Sequence, residues 1–276
     1  MLARDALRDG VARLAAAGVP DPARDARLML AQAAGIAPDR LTLHLNDPLG
    51  QGAQVAFAGM LDARAIRQPA AQILGKRLFW GRYFAVTPDV LDPRPETEAL
   101  VAAGLEGGFD EVLDLGTGSG CILLSLLADR PDARGLGVDI SDAALAVARA
   151  NAQALGVADR AEFAQGDWAA GIKRRFDLVV SNPPYIPLAD MSDLSPEVRD
   201  WEPALALTPG EDGLLAYRRL ARAALTVLRP HGALMVEVGA GQAPEVAAIL
   251  TQAGARSVDF RADMDGRARV VVARWM

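Results

Sequence analysis

The stretch VLDLGTGSGCILL, residues 112–124, begins as a short apolar strand, passes through a glycine-rich turn and ends in an apolar helix. Gly116, Gly118 and Gly120 take a G-x-G-x-G spacing. A dinucleotide fingerprint would be G-x-G-x-x-G, and Cys121 stands where its last glycine would fall. The Lys-Ser/Thr ending of a P-loop is missing as well. Positions without side chains let a backbone approach a ligand closely, so Gly116, Thr117, Gly118, Ser119 and Gly120 are candidate ligand contacts. Asp139 ends the next strand, about twenty residues on, where an acid commonly accepts both ribose hydroxyls. The pair favours a nucleoside that carries no phosphate to be cradled. The glycines alone also suit a tight strand-to-helix turn with no ligand.

Outward from this turn the chain alternates. EVLDLG, GLGVDI, AEFAQGD, FDLVVSNP and GALMVEVG read as strands, and the segments between and after them include helices such as SDAALAVARANAQALG and GLLAYRRLARAALTVLRP. RSVDFRAD and RARVVVARW can close as an antiparallel pair. That order predicts an α/β domain with a mostly parallel, doubly wound sheet and an antiparallel edge hairpin.

Upstream, Leu2, Leu7, Val11 and Leu14 recur at helical spacing. A second helix is bounded by an Asp21 cap, Pro22 at the first helical position and a Gly35 stop. LFWG and YFAVT read as a hairpin with Gly81 and Arg82 at its turn, and RPETEALV as a helix start with Pro95 just inside. The expected organisation is a helical domain over 1–75, a linking hairpin over 76–93 and the sheet domain over 94–276.

Composition narrows the partners. Apolar residues make up 51% of the chain, charged residues 23%, and the net charge is −6. The acidic balance argues against a dedicated nucleic-acid binder. One cysteine and two histidines provide neither an intrachain disulfide nor a metal-ligand pattern, so no metal is expected. The N-terminal MLARDALRDG carries mixed charge and does not read as a secretory leader. No apolar run reaches membrane-spanning length. A soluble, cytoplasmic protein with no membrane association is expected.

The chemistry-bearing stretch is VVSNPPYIP, residues 179–187. Asn182 follows a buried-strand pattern and precedes a proline, which biases it to extended geometry. Pro183 is held in the same way by Pro184, and neither proline has an N–H to donate. Two acceptors are thereby offered in a stiff frame, the Asn182 side-chain oxygen and the Pro183 carbonyl. A planar NH2 group has two protons to give them. Tyr185 can lie against the flat face of that group, or near a cation. The arrangement suits alkylation of a conjugated nitrogen, whose lone pair is delocalised and whose N–H is weakly acidic. Asp167 and Trp168, in AQGDW, can meet an exocyclic amine and an adenine face. Either is also an ordinary strand-end residue.

DLGTGSG, VDIS, GDW and SNPPYI together resemble the class I methyltransferases that use S-adenosylmethionine and act on planar nitrogens. RPETE, NPPYIP and WEP narrow the resemblance to the PrmC/HemK family, the protein-(glutamine-N5) methyltransferases of peptide chain release factors. It runs over essentially the whole chain. It implies methylation of the glutamine in a Gly-Gly-Gln motif, with Gly116–Gly120, Asp139 and Trp168 holding the cofactor, Asp167 beside them, and Asn182, Pro183, Pro184 and Tyr185 holding the glutamine. Arg94 and Thr97 are added as candidate pocket residues, and Asn182, Pro183 and Tyr185 as the catalytic group. Glu96 stands where many relatives have aspartate. A monomer is expected, with the helical domain docking the release factor. The alternatives are a nucleic-acid adenine N6 methyltransferase, which shares the NPPY motif, and a non-enzymatic S-adenosylmethionine-binding protein.

Overall fold

A computed structural model describes residues 1–275. The chain divides into two compact units. One comprises Met1–Gly75 together with Ser195–Trp201, and the other Lys76–Leu194 together with the chain from Glu202 onward.

The first unit is helical: α1 (Ala3–Ala16), α2 (Pro22–Ala34), α3 (Gln51–Ala65) and α4 (Ala70–Leu74). Asp21 caps α2 by accepting from the Arg24 N–H at 3.2 Å, and Gly35 ends it in the left-handed conformation with φ 68°. Leu14, Met29, Leu30 and Leu41 are fully buried, and Phe57 and Leu61 complete their core.

Ser195–Trp201 is distant in sequence yet belongs to this unit. Glu197 is its anchor. It accepts from Arg67 Nε at 2.7 Å and Nη2 at 2.6 Å, and from Arg64 Nη2 at 3.0 Å. Arg64 Nε donates to the buried Asp25 at 2.7 Å. Gln72 Nε2 donates to the Trp201 carbonyl at 3.0 Å. Burial pushes the Glu197 carboxyl up, and the Arg67 and Arg64 hydrogen bonds outweigh it, leaving it below its ordinary value.

The second unit opens on a hairpin, β1 (Lys76–Phe79) and β2 (Arg82–Ala85). Phe79 pairs with Arg82, so the turn is Trp80–Gly81 and Arg82 already lies in the strand, one residue from where the sequence pattern put it. Trp80 and Gly81 have φ of 48° and 70°, the double left-handed geometry that matches strand twist in a two-residue turn. Trp80 is held there by donating its N–H to Glu98 and its indole N–H to Asp129, both at 2.7 Å.

There follow α5 (Glu98–Glu106), β3 (Glu111–Leu115), α6 (Cys121–Asp129), β4 (Arg134–Asp139), α7 (Asp142–Ala154), β5 (Ala161–Gln165), β6 (Phe176–Ser181), α8 (Leu215–Val227), β7 (Leu228–Glu237), α9 (Ala243–Gln252), β8 (Ser257–Ala262) and β9 (Ala268–Arg274). The seven strands from β3 onward form one sheet in the order β5-β4-β3-β6-β7-β9-β8. All pairs are parallel except β7–β9 and β8–β9. The two-residue alternation of a strand divides its side chains between two faces. Val112, Leu178 and Val180 face a core with Leu100, Leu123 and Leu126. Leu113, Leu115 and Val179 face a second core with Tyr217, Leu220 and Val246. Helices cover both faces, which is why the central strands read as unbroken apolar runs. Between β6 and α8 the chain makes only short helical segments, a 3-10 helix at Leu188–Asp193 and single α-helical turns at Pro196–Arg199 and Ala204–Leu207, a stretch without strong periodicity in the sequence.

Replacing Glu197 by alanine strips Arg67 and Arg64 of a shared, mostly buried partner. Breaking such a pair is expected to cost about 3 kcal/mol and to open Ser195–Trp201 to protease. Urea unfolding with limited proteolysis measures both. The loss should vanish in acid, because Glu197 titrates below its ordinary 4.5 when folded and its contribution disappears as pH falls through that folded pKa.

Candidate active site

The parallel strands bring their carboxyl ends to one edge, and the site is built from the loops that leave those ends. After β3, Gly116 and Thr117 donate their N–H groups to the Val138 carbonyl at 2.8 and 3.0 Å. Gly118 donates to Asp139 Oδ2 at 2.8 Å, and the other Asp139 oxygen takes the Ser141 N–H at 3.0 Å. Asp139 thus ties the glycine turn to the start of α7, and each oxygen keeps a lone pair for a further donor. Gly118 has φ +54°, and a Cβ there would meet no atom within 4 Å. Gly120 differs. A Cβ there would lie 2.9 Å from Leu124, so that glycine serves packing against the helix.

Side chains outside the turn brace it. Asp114, at the end of β3, is fully buried and accepts from the Thr117 hydroxyl at 2.7 Å. Burial pushes its carboxyl up to about 7, with the Thr117 and Leu123 hydrogen bonds opposing. Asn151 on α7 donates to the Ser119 carbonyl at 2.8 Å and accepts from the Ala85 N–H at 2.7 Å, linking the turn to β2. Cys121 is buried at the helix start, where desolvation pushes its thiol up to about 12. It is a packing residue without thiolate character.

After β6 comes Asn182. Its Nδ2 donates to the Thr97 hydroxyl at 3.2 Å, which places its Oδ1 on the opposite side of the amide. Pro183 is buried behind it. Tyr185 is partly buried, packs against the core that contains Tyr217, and has its carbonyl held by Gln242 Nε2 at 2.9 Å. Gly213, with φ +71°, passes so close that a Cβ would lie 2.5 Å from that carbonyl. Burial pushes the Tyr185 phenol up to about 12, so it stays protonated.

These elements enclose a cavity of about 340 Å³. Of the residues singled out in the sequence, Gly116, Thr117, Gly118, Ser119, Asp139, Asp167, Trp168, Asn182, Pro184, Arg94 and Thr97 line it. Gly120, Pro183 and Tyr185 are not among its lining residues. Asp167 is exposed and paired with Arg219 at 3.3 Å. Arg94 Nη2 reaches both Glu202 oxygens, at 2.8 and 2.7 Å. Glu202 carries a carboxyl raised by burial against the pull of Arg94. This pair fixes the start of the wall that Pro203, Leu205 and Thr208 form. Sequence reading did not single out Asp114, Asn151, Gln242 or the cavity-lining Ile140, whose side chain is exposed. An acid two residues before Gly116 was the available signal for Asp114. The others act through contacts that no local pattern shows.

The doubly wound sheet, the glycine turn and the acid at the next strand end define a class I methyltransferase fold, and the comparisons agree. Residues 95–193 match the family described as methyltransferase small domain, and residues 5–75 match the PrmC N-terminal domain. A crystal structure of a methyltransferase from Pyrococcus furiosus superimposes with a TM-score of 0.53 at 15% identity, over 70% of this chain and 89% of that one. The chain belongs to the release factor glutamine methyltransferase family. It is 57% identical over 274 residues to the release factor glutamine methyltransferase of Cereibacter sphaeroides, covering 99% of both chains. It is 48% identical to that of Rhodospirillum rubrum, over 96% of this chain and 82% of the relative.

Asp114 gives the site a pH signature. Its pKa rises from 3.8 to about 7 on folding, so between these values the unfolded chain has released a proton that the folded chain keeps. Stability therefore falls with rising pH across that window. In Asp114→Asn this contribution is absent, and the melting temperature of the variant relative to wild type should climb from pH 4.5 to 7.5. Paired thermal scans check it.

Proposed function

We propose that this protein transfers the methyl group of S-adenosylmethionine to the side-chain amide nitrogen, N5, of the glutamine in the Gly-Gly-Gln motif of peptide chain release factors. One observation carries the reading: Asn182, with its amide nitrogen turned to Thr97, shares a cavity with the Gly116–Gly118 turn and Asp139.

The residues present fit the cofactor. Gly116 and Gly118 have positive φ, and a Cβ on either would meet no protein atom within 4 Å, leaving their backbone open to close approach. Asp139 retains acceptor capacity for ribose hydroxyls. No phosphate-gripping lysine follows the turn. The turn and Asp139 would hold the nucleoside, with Trp168 and Ile140 beside the base. When bound, S-adenosylmethionine supplies an electrophilic methyl group on a positively charged sulfur.

The chain's own part is placement. Asn182 Oδ1 and the Pro183 carbonyl each accept one N–H of the glutamine amide. Gripping both protons fixes the plane of the NH2 group and presents the nitrogen's face. Polarising the N–H bonds favours rehybridisation at nitrogen, and the proton released passes to solvent. Alignment of this kind can supply roughly 7–11 kcal/mol of the barrier. Pro183 and Pro184 keep the frame stiff, and Gln242 holds the Tyr185 carbonyl behind it with Gly213 packed close by.

Release factor, the same factor with Gln→Ala in its Gly-Gly-Gln loop, and DNA or RNA, each mixed with tritiated S-adenosylmethionine, test the substrate. Label is expected on the wild-type factor alone, and label on nucleic acid would overturn the substrate assignment. Asn182→Ala is expected to lower kcat about 10²–10³-fold while calorimetry shows unchanged cofactor binding.

The enzyme acts as a cytoplasmic monomer, and no helix among the described residues is long and apolar enough to cross a membrane. The helical unit docks the release factor, which a cleft enzyme acting on one glutamine of a large protein requires. Leu43 and Val55 are exposed apolar side chains of that unit. Their replacement by serine is expected to raise KM for the release factor and leave kcat unchanged.

A further inference from the structure

Asparagine has an ambiguity that this site has to resolve. The amide oxygen and nitrogen are nearly isosteric, and rotation about the last side-chain bond exchanges an acceptor for a donor. With the oxygen toward the cavity, Asn182 can accept from a substrate NH2 group. With the nitrogen there, two NH2 groups would meet.

The surroundings supply a polarity. Thr97 is 2% exposed and Glu237, the last residue of β7, is 1% exposed. Asn182 Nδ2 donates to Thr97 Oγ1 at 3.2 Å, and the Glu237 carboxyl lies near enough to the Thr97 hydroxyl to be held down by it as a hydrogen-bond donor. A hydroxyl has one proton, and a carboxylate can only accept. The Thr97 proton therefore belongs to Glu237, and Thr97 can only accept from Asn182.

We propose that Thr97 and Glu237 are positioning residues that lock the Asn182 amide with its oxygen toward the substrate. The proposal rests on the methyl-transfer reading and deepens it, by assigning what keeps the acceptor an acceptor.

The protonation of Glu237 makes the lock testable. Its Oε2 is buried without a hydrogen-bond partner. Burial pushes the carboxyl up to about 7. The Thr97 hydrogen bond, Arg269 and Arg94 oppose this, and Glu96 adds to it. Tyr185, Tyr217 and Cys121 also feel its charge. Above that value Glu237 is an acceptor only, and the chain Asn182–Thr97–Glu237 has one polarity. Below it the protonated carboxyl can donate to Thr97, the Thr97 proton is free to turn to Asn182, and both amide orientations are satisfied. The lock is thus present at high pH and released as pH falls through about 7.

The test uses the full-length enzyme and release factor, with kcat and KM measured from pH 5.5 to 9 and cofactor affinity measured by calorimetry. Wild type should lose kcat on an acid limb near pH 7, although the substrate amide does not titrate there. Thr97→Val should lower kcat roughly tenfold, the scale of one lost hydrogen bond, with cofactor affinity unchanged. Thr97→Ser, which keeps the hydroxyl, should restore it. Glu237→Gln should abolish the acid limb. Asp114, which titrates in the same range, remains in that variant, so a limb that survives Glu237→Gln overturns the proposal. So does wild-type kcat in Thr97→Val beside an inactive Asn182→Ala, an outcome that leaves the methyl-transfer reading standing. Wild-type kcat in Asn182→Ala overturns the methyl-transfer mechanism itself, and the lock with it.

Discussion

Two carboxyl groups at strand ends lie beyond the reach of water, each with a threonine hydroxyl close by. Asp114 is the penultimate residue of β3 and takes the Thr117 proton, and Glu237 ends β7 beside Thr97. Between those strands runs β6, which delivers Asn182. Desolvation of an unpaired carboxyl is costly, and both groups answer by a pKa raised to about 7. The sheet accepts this at its functional edge because a buried acceptor fixes hydroxyl direction. Asp114 orders the glycine turn through Thr117, and Glu237 orders the asparagine through Thr97. The strand order β4-β3-β6-β7 brings Thr117 and Asn182, with Thr97, to a single cavity.

The rest of the site is held by side chains that cross between elements. Asn151 joins the glycine turn to the hairpin strand. Gln242 reaches from the start of α9 to the Tyr185 carbonyl, while its Oε1 takes the Gly239 N–H at 3.1 Å. Arg94 holds Glu202 and with it the adjoining cavity wall. Each bridge satisfies backbone or carboxyl groups that a buried loop would otherwise leave unpaired. The loops at the strand ends are therefore as constrained as the strands, which suits a reaction governed by placement more than by proton transfer.

What could be read in the sequence was local. The strand–helix alternation, the G-x-G-x-G turn and the acid at the end of β4 lie within short windows, and their geometry follows from residue type alone. The Asp21 cap and the Gly35 stop are of the same kind. The hairpin turn shifted by one residue because Trp80 takes a left-handed φ, which contacts from Glu98 and Asp129 maintain and no propensity foretells. Gly120 looked like its two neighbours in the motif yet packs on Leu124. Ser195–Trp201 gives no sign in the sequence that its packing partners are Arg64, Arg67 and Gln72. Tyr185 stood in the motif as a ring for the substrate, and the structure sets it among Gly213, Gly239 and Gln242.

That placement of Tyr185 sharpens what the motif does. The two prolines fix φ and hold the residue before each of them extended, and the anchored tyrosine stops the loop from turning the Pro183 carbonyl away. In the proposed mechanism one of the two acceptors is thus fixed by covalent geometry, since a backbone carbonyl cannot exchange with a donor. The other is a side-chain amide and can. A site that needs two acceptors and builds one of them from asparagine has to break the symmetry of that amide by some outside group. A neighbouring hydroxyl cannot do so alone, because it donates or accepts with equal ease. An acceptor-only carboxylate behind the hydroxyl removes the choice, and the buried Glu237 is placed to be that group.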